Sequence, residues 1–262
     1  MRGLFVSITA LLAGTSFIHL GGGLVGTLIA MQMALRGFPV TTAGMVMSAF
    51  SVGYVISVFY AHTLIEQVGH IRAYAVFATT LSAVTLLYPF AVDPLSWGVL
   101  RAVQGFCFAG LAVCTESWLN ERSTNKVRGQ VFSFYMIAIY LAQALGQILL
   151  MLPDPSGYGL FVISSILLSL ALVPVAMTRV PAPPTPQPSP IDLRALAKNA
   201  PLGAFGALVA GAVVGAFNGL APFVARDIEM TASGTAQLMS VAILGGLLLQ
   251  WPLGKLSDRM DR

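Results

Sequence analysis

Ala43–Val68 reads AGMVMSAFSVGYVISVFYAHTLIEQV and aligns without a gap to Thr235–Met260, TAQLMSVAILGGLLLQWPLGKLSDRM, 192 residues later. Each segment is an apolar stretch that runs into a short charged loop. Membrane bundles duplicated in tandem, with equivalent ends on the same side, usually hold a substrate site between their two halves. The duplication therefore predicts a transporter. The matching pairs are Met47 with Met239, Ser48 with Ser240, Gly53 with Gly245, Leu64 with Leu256, and Glu66 with Asp258.

The composition indicates a protein solvated by lipid. Hydrophobic residues make up 56% of the 262 residues and charged residues only 9%, whereas roughly a quarter of residues are charged in soluble domains. Apolar runs near or above the ~20 residues that a bilayer requires occur eight times. Because these runs do not alternate like barrel strands, we expect helices throughout and an all-α membrane fold. The predicted spans are residues 4–33, 40–63, 71–92, 94–117, 128–151, 157–178, 201–225 and 231–253.

Lysine and arginine residues predict the orientation, because they concentrate in cytoplasmic loops. An amino terminus in the cytoplasm places eleven of the fourteen basic residues inside, two outside and one, Arg101, within the membrane. The sequence thus predicts a multi-pass protein of the inner (plasma) membrane with the lipid bilayer as a partner. Since this topology explains the formal net charge of +4, no nucleic-acid partner is expected.

A proline-rich segment divides the chain. Residues 181–190 contain six prolines, which excludes a helix interior and favours an extended linker. We expect a six-helix amino-terminal half over residues 1–180, then a cytoplasmic linker with a short amphipathic helix over 181–200. Residues 201–262 would begin a second half with helices 7 and 8. Because a symmetric duplication contains about twelve spans, we expect the remaining carboxyl-terminal part, about four spans, to be missing. A complete eight-helix protein is the alternative, although it leaves the duplication unfinished.

The last residues carry a recognisable motif. Gly254-Lys-Leu-Ser-Asp-Arg-Met-Asp-Arg262 resembles the loop signature of the major facilitator superfamily (MFS), in which glycine, leucine, aspartate and arginine have this spacing. The resemblance implies an MFS-type bundle and a charged gate at the cytoplasmic ends of the helices. Ordinary topology charges are the alternative reading. In the first copy Glu66 replaces the aspartate, which weakens the network there. The predicted gate consists of Glu66, Arg72, Glu116, Asp258 and Arg259.

A second motif lies within the predicted fourth helix. Leu100-Arg-Ala-Val-Gln-Gly105 resembles another signature of the same superfamily. In proton-coupled members this arginine is associated with coupling, so the resemblance suggests a small-molecule substrate and allows proton coupling. A guanidinium in lipid is costly enough that Arg101 must face protein or a watery cavity. A fixed contact that locks helix packing is the alternative.

Other helices carry polar residues that either bind a substrate or join helices. Gln143 and Gln147 lie four residues apart on the fifth span, His19 lies among glycines on the first, and Asn218 precedes Pro222 on the seventh. The segments His19–Thr27 and Glu116–Glu121 resemble a little-characterised bacterial subgroup of the superfamily. The predicted substrate path consists of Arg101, Gln104, His19, Gln143, Gln147 and Asn218.

Two further features concern packing. Glycines recur every four residues on the first and seventh spans, which predicts faces where backbones approach closely. Trp118 is expected to anchor the fourth helix at the lipid interface. The glycines are Gly22, Gly26, Gly211, Gly215 and Gly219.

These features predict a secondary active transporter that moves a small solute by alternating access between two halves. The first alternative is a non-transporting or inactive truncated membrane protein. An intramembrane enzyme is less expected, because the sequence contains no His-Glu-x-x-His motif, no glycine-flanked nucleophilic serine and no paired intramembrane aspartates. No catalytic residue, cofactor or metal site is predicted.

Overall fold

The computed structural model describes residues 2–123, 127–152, 157–178 and 198–257, with side chains described between residues 8 and 249. Within these ranges the chain forms helices and turns, and no strand. The helices are α1 (Arg2–Leu35), α2 (Val40–Val68), α3 (His70–Leu87), α4 (Pro94–Arg122), α5 (Arg128–Ile148), a 3-10 turn (Leu149–Met151), α6 (Gly159–Leu170), α7 (Leu172–Ala176), α8 (Pro201–Asp227) and α9 (Ala232–Ser257).

Eight helical segments of the described chain are long and apolar enough to cross a membrane, with α6 and α7 together forming the sixth. The predicted all-α membrane fold is therefore confirmed. Three boundaries differ from the prediction, because α2 continues to Val68, α3 already ends at Leu87 and α4 continues to Arg122. The charged end of the first repeated segment is thus helical rather than a loop. Gly69, with a left-handed φ of 85°, alone joins α2 to α3, a conformation that favours glycine.

The start of α4 shows how local sequence sets a helix boundary. Pro94 occupies the first helical turn, where its missing N–H leaves no helical bond unmade. The Asp93 side chain caps the helix by accepting the Ser96 backbone N–H at 2.9 Å. Asp93 lies outside the membrane-spanning segments, and hydrogen bonds to the Ser96 side chain and backbone lower the pKa of its carboxyl group. This cap fixes where the helix that carries Arg101 begins.

α2 and α4 approach each other so closely that only glycine fits at their contact. A Cβ atom added to Gly53 would collide with the carbonyl oxygen of Ala102, and one added to Gly105 would collide with the carbonyl oxygen of Phe50. Both obstacles are backbone atoms, which cannot rotate away as a side chain can. Small residues thus allow backbone-to-backbone packing, and this packing places Phe50 beside α4.

Side-chain hydrogen bonds to backbone carbonyls join α1 to two other helices. Gln147 Nε2 on α5 donates to the Gly23 carbonyl at 2.9 Å, and Ser164 Oγ on α6 donates to the Gly21 carbonyl at 2.6 Å. Such bonds between membrane helices contribute on the order of 0.6–2 kcal/mol each. α1 is therefore held from two sides at the same level of the bundle.

Two apolar clusters form the core, one towards each end of the bundle. Phe77 and Trp118 belong to the cluster at the end where α4 finishes, and Leu28 and Trp97 to the cluster at the end where α4 begins. Trp118 is only 1% exposed, and its ring packs edge-on against that of His70. The prediction that Trp118 is a lipid-interface anchor is therefore wrong, because the side chain points into the bundle.

α8 and α9 dock onto the six preceding spans. α8 contacts α1 and α2, where Gly219 lies beside the Met47 side chain. α9 contacts α5, where Ser240 Oγ donates to the Ala144 carbonyl at 3.0 Å. Phe223 of α8 belongs to the core cluster at the end where α4 begins. These contacts join two further spanning helices to the six preceding spans.

The two ends of α8 differ in exposure. Residues 205–217 are exposed throughout, whereas Gly219 and Phe223 are buried. The packing of α8 onto the bundle is therefore concentrated at its carboxyl-terminal end. The predicted linker and its amphipathic helix fall mainly on residues 179–197, which lie outside the described ranges, so this domain boundary stays a prediction.

A candidate substrate cavity

A cavity of about 620 Å³ lies between the first six spans and α8. α1, α2, α4 and α5 supply most of its wall, and α8 supplies five residues between Gly211 and Gly219. These wall residues belong to helices that are long and apolar enough to cross a membrane. All six residues of the predicted substrate path line the cavity: His19, Arg101, Gln104, Gln143, Gln147 and Asn218. The geometry brings them together, and their role in binding stays a prediction.

Arg101 is the only permanently charged side chain among the described lining residues, which include no carboxylate. It is 7% exposed, and its guanidinium carbon lies 4.7 Å from the centre of the Phe50 ring. Nη1 donates to Gln104 Oε1 at 3.3 Å, a long hydrogen bond, while Nε has no acceptor in the described part of the chain. An aromatic face and one amide therefore stabilise the charge.

Gln104 is held in one orientation by three partners. Its Oε1 accepts the Tyr88 hydroxyl at 2.8 Å in addition to Arg101, and its Nε2 donates to the Thr85 hydroxyl at 3.2 Å. Tyr88 is fixed in turn, because its carbonyl accepts the Trp97 indole N–H at 3.1 Å. Both lone pairs of the Gln104 amide oxygen are thus used. Gln104 positions the guanidinium and has little capacity left for a ligand.

The amides of α5 form a second polar part of the wall. Gln147 is 2% exposed; its Nε2 is bonded to Gly23, whereas its Oε1 has no donor among the residues described. Gln143 lies one turn earlier on the same face. The backbone carbonyl oxygen of Gln143 would be 2.8 Å from a Cβ atom added to Gly23. The side-chain oxygen of Gln147 is thus a buried acceptor without a described donor, in a residue that lines the cavity.

His19 lies where the cavity meets a second, much smaller pocket. Its ring packs edge-on against the Phe108 ring, with 5.1 Å between the ring centres. The smaller pocket is also lined by Thr15 and Tyr74, whose buried hydroxyls have no hydrogen-bond partner within the described ranges. This position fits a ligand contact and a packing role equally well.

Only two of the five glycines that recur every four residues lie close to another helix. A Cβ atom added to Gly26, Gly211 or Gly215 would meet nothing within 4 Å. At Gly22 and Gly219 it would meet side chains, at 2.5 and 3.3 Å. The prediction of close packing is therefore wrong at Gly26, Gly211 and Gly215, whereas Gly22 and Gly219 pack against side chains of other helices. The glycines line the cavity, where the missing side chains make room.

The predicted gate residue Glu116 has a tyrosine as its partner. Its Oε1 accepts the Tyr135 hydroxyl at 3.2 Å. Among the described residues it forms no ion pair with Arg72 or Arg128, both of which are exposed. Glu116 is thus hydrogen-bonded to a tyrosine, which is neither an ion pair within a charged gate nor an ordinary solvated charge. A gating role for Glu116 and Arg72 stays a prediction.

The other predicted gate residues belong to the repeated segments. Glu66 is half-buried, and its Oε1 has no hydrogen-bond partner in the part of the chain that the structure describes. Asp258 and Arg259 lie outside the described residues. Any charge network between the two copies of the motif therefore stays a prediction.

Some residues of the site could not be identified from the sequence. Phe50 and Tyr54 line the cavity from α2, but aromatic residues occur on many membrane helices. Tyr88 bonds to Gln104 across sixteen residues of chain. Spacing along one helix identifies residues that share a face, whereas these contacts join different helices, so only the folded chain reveals them.

Comparison with known proteins identifies the class to which this fold and cavity belong. The family model of the Major Facilitator Superfamily matches residues 11–262. The chain therefore belongs to this superfamily of membrane transporters, as its motifs indicated, and it is a multi-pass membrane protein.

Relatives and solved structures agree with this assignment. The "Uncharacterized MFS-type transporter YcaD" of Salmonella enteritidis PT4 is 28% identical over 259 residues, covering 97% of this chain and 67% of the relative. The protein of that name from Salmonella newport is 27% identical with the same coverage. The chain thus spans about two thirds of the length of these relatives.

Three crystal structures share the fold. The nucleoside transporter NupG has a TM-score of 0.79 at 13% identity, covering 97% of this chain and 68% of that one. A bacterial homolog of the human lysosomal transporter Spinster, inward-facing and unoccupied, has a TM-score of 0.71 at 15% identity, covering 98% and 64%. A D-xylose–proton symporter has a TM-score of 0.67 at 16% identity, covering 98% and 69%. At these identities the likeness concerns the fold alone.

Proposed function

We propose that this protein is a secondary active transporter that moves a small solute across the inner membrane by alternating access. The observation that carries the proposal is the cavity of about 620 Å³, which polar groups on apolar spanning helices line. Intramembrane polar groups mark solute paths when they face a cavity. Both the six-helix part and α8 contribute to the wall, so a rotation of one against the other would change access to it.

The packing of α8 supports a conformation that opens towards one side. Gly219 and Phe223 pack against the six-helix part, whereas residues 205–217 are exposed. With the amino terminus in the cytoplasm, as the lysine and arginine distribution predicts, the exposed end of α8 faces the cytoplasm. The cavity would then be inward-facing. The proposed gate, which would close this side in the opposite conformation, consists of Glu66, Arg72, Glu116, Asp258 and Arg259.

Vectorial movement of solute in proteoliposomes tests the proposal. The vesicles are loaded with a mixture of carboxylates, sugars, nucleosides and amines, and the solutes released are identified by mass spectrometry. We expect at least one solute to leave protein-containing vesicles faster than empty ones. Gly215→Trp should abolish this flux, because the open space beside Gly215 is the cavity itself.

Gly206→Trp is the matched control. Gly206 lies on the same helix, is exposed, and has nothing within 4 Å of its Cβ position, but it does not line the cavity. Equal flux through both variants would contradict a route through the cavity. Correct insertion with no flux of any solute would favour the non-transporting alternative. Chemical conversion of a solute without movement would favour an enzyme.

Coupling to protons is a separate part of the proposal, supported by an arginine and a histidine, Arg101 and His19, that line the same cavity. Flux of the identified solute is measured with and without an imposed pH gradient, and with a protonophore. We expect the gradient to drive accumulation and the protonophore to abolish it. Accumulation that is unchanged by the pH gradient and by the protonophore would contradict proton coupling, but it would not contradict the transport proposal.

A further inference from the structure

We propose that the solute is a small organic anion, a single carboxylate carried on an apolar or aromatic body. This inference rests on the proposed transport function and names the chemical class that the cavity would accept. The observations behind it are an uncompensated charge, free donor capacity on that charge, and a predominantly apolar wall.

The first observation is the sign of the charge in the cavity. Arg101 lines it, and no described lining residue carries a negative charge. On the same helix, the carboxylate of Glu116 is fifteen residues away, which is about 22 Å along an α-helix. No ion pair involving Arg101 occurs within the described ranges. A cation held in a low-dielectric region favours binding of an anion.

The second observation is the donor capacity of the guanidinium. Arginine has five N–H donors in a planar fork that matches a carboxylate. The only hydrogen bond described for Arg101 is the 3.3 Å contact to Gln104, whose oxygen already accepts a shorter bond from Tyr88. Its buried Nε has no acceptor in the described chain. Because Nε is shielded, a carboxylate entering the cavity would bind the terminal nitrogens of the guanidinium, for which only the Gln104 contact is described.

The third observation is the remainder of the wall. Phe50, Tyr54 and Phe108 line the cavity, and Phe50 lies over Arg101. Six glycines and five aliphatic side chains make up much of the remaining wall. Gly211 and Gly215 leave open space on the α8 side. A volume of about 620 Å³ lies within the range of roughly 300–1,000 Å³ that small-molecule sites occupy. The wall therefore fits an apolar body behind the anionic group.

Binding of three matched probes tests the inference. Benzoate, benzamide and benzylamine share a ring but carry a negative, zero and positive charge at neutral pH. Their affinities are measured by isothermal titration calorimetry on the purified full chain. We expect benzoate to bind at least about tenfold more tightly than the other two, as a charge-assisted hydrogen bond would provide. Equal or weaker binding of benzoate would overturn the inference.

Variants of two arginines locate the effect. Arg101→Gln should weaken benzoate at least about tenfold and leave benzamide unchanged. Arg101→Lys, which keeps the charge, should retain most of the preference for benzoate. Arg36→Gln is the matched control, because Arg36 also lies over an aromatic ring, that of Trp97, but outside the cavity. Loss of the preference in Arg36→Gln, or its persistence in Arg101→Gln, would overturn the inference.

The inference and the transport proposal fail in different ways. If benzamide or benzylamine is bound and transported in preference to benzoate, the anion class is wrong and transport stands. If benzoate binds with the expected selectivity but no solute crosses the membrane, the site is supported and transport is wrong.

Discussion

Replacement of Gly53 by alanine tests whether the α2–α4 contact supports the site. The added methyl group would collide with the Ala102 carbonyl oxygen and lie 2.6 Å from the Ala102 carbonyl carbon and 3.0 Å from its Cα. All three atoms belong to the backbone of α4, so the two helices must separate. Because Phe50 on α2 lies over the Arg101 guanidinium, their separation would also disturb the cavity.

The expected loss of stability follows from the size of the clash. Overpacking of a well-filled core costs about 1–3 kcal/mol, and a methyl group facing backbone belongs at the upper end of that range. At about 2–4 °C per kcal/mol for a chain of this length, Gly53→Ala should lower the apparent melting temperature by about 4–12 °C. Gly105→Ala meets the Phe50 carbonyl oxygen across the same contact and should behave alike.

A thiol-reactive fluorescent dye measures this effect. The chain contains two cysteines, Cys107 and Cys114, and both are buried on α4, so dye reacts only when this region opens. Gly44→Ala on α2 and Gly98→Ala on α4 are matched controls, because their added Cβ atoms would meet nothing within 4 Å. We expect the controls to melt at or slightly above the wild-type temperature, as alanine favours helix.

A melting temperature for Gly53→Ala equal to that of Gly44→Ala would refute this reasoning. It would mean that α2 and α4 are not packed backbone to backbone. The position of Phe50 over Arg101 would then lose its structural basis.

Three further substitutions have defined outcomes in the same melting assay. Gln104→Leu leaves Tyr88 and Arg101 without their shared acceptor, and we expect a loss of about 1–3 kcal/mol. Ser164→Ala removes a 2.6 Å bond to α1 and should cost about 0.6–2 kcal/mol. Hydrogen bonds to Ser96 lower the pKa of Asp93 from its usual 3.8. The charged carboxylate therefore stabilises the folded state fully above pH 3.8, and this stabilisation is lost as the pH falls through the lowered pKa. Asp93→Asn should therefore differ from wild type at about pH 6 and converge with it in stronger acid.

The number and approximate limits of the spans could be read from the sequence because the bilayer sets their length and forbids unpaired backbone. Three boundaries were missed. No helix-breaking residue precedes Gly69, so α2 continues through its charged end, and α4 likewise continues to Arg122. α3 ends at Leu87, two residues before Pro89, although residues 88–92 are largely apolar.

The cavity residues could be found in part. Arg101 and Gln104 stand out because a charge and an amide are rare in a span, and both line the cavity. The partners that orient them, Phe50 and Tyr88, could not be found, since they lie on other helices. Trp118 was misplaced because an aromatic residue near a helix end suits the lipid interface and the core equally well.

The glycine pattern shows the same limit. Glycine at every fourth position leaves one face of a helix without side chains, but the sequence does not show what that face packs against. Gly53 and Gly105 meet backbone, whereas Gly211 and Gly215 meet open space. The same residue type thus permits close packing at one site and a cavity at another.

Labelling of a single cysteine from each side of the membrane tests the proposed mechanism most directly. Gly215→Cys places a thiol in the cavity, where it has room, and the native cysteines are buried. A membrane-impermeant maleimide is added to vesicles of each orientation. Alternating access predicts modification from both sides, faster from the cytoplasmic side, with the vesicles remaining sealed. Modification from one side only, or from neither, would contradict it.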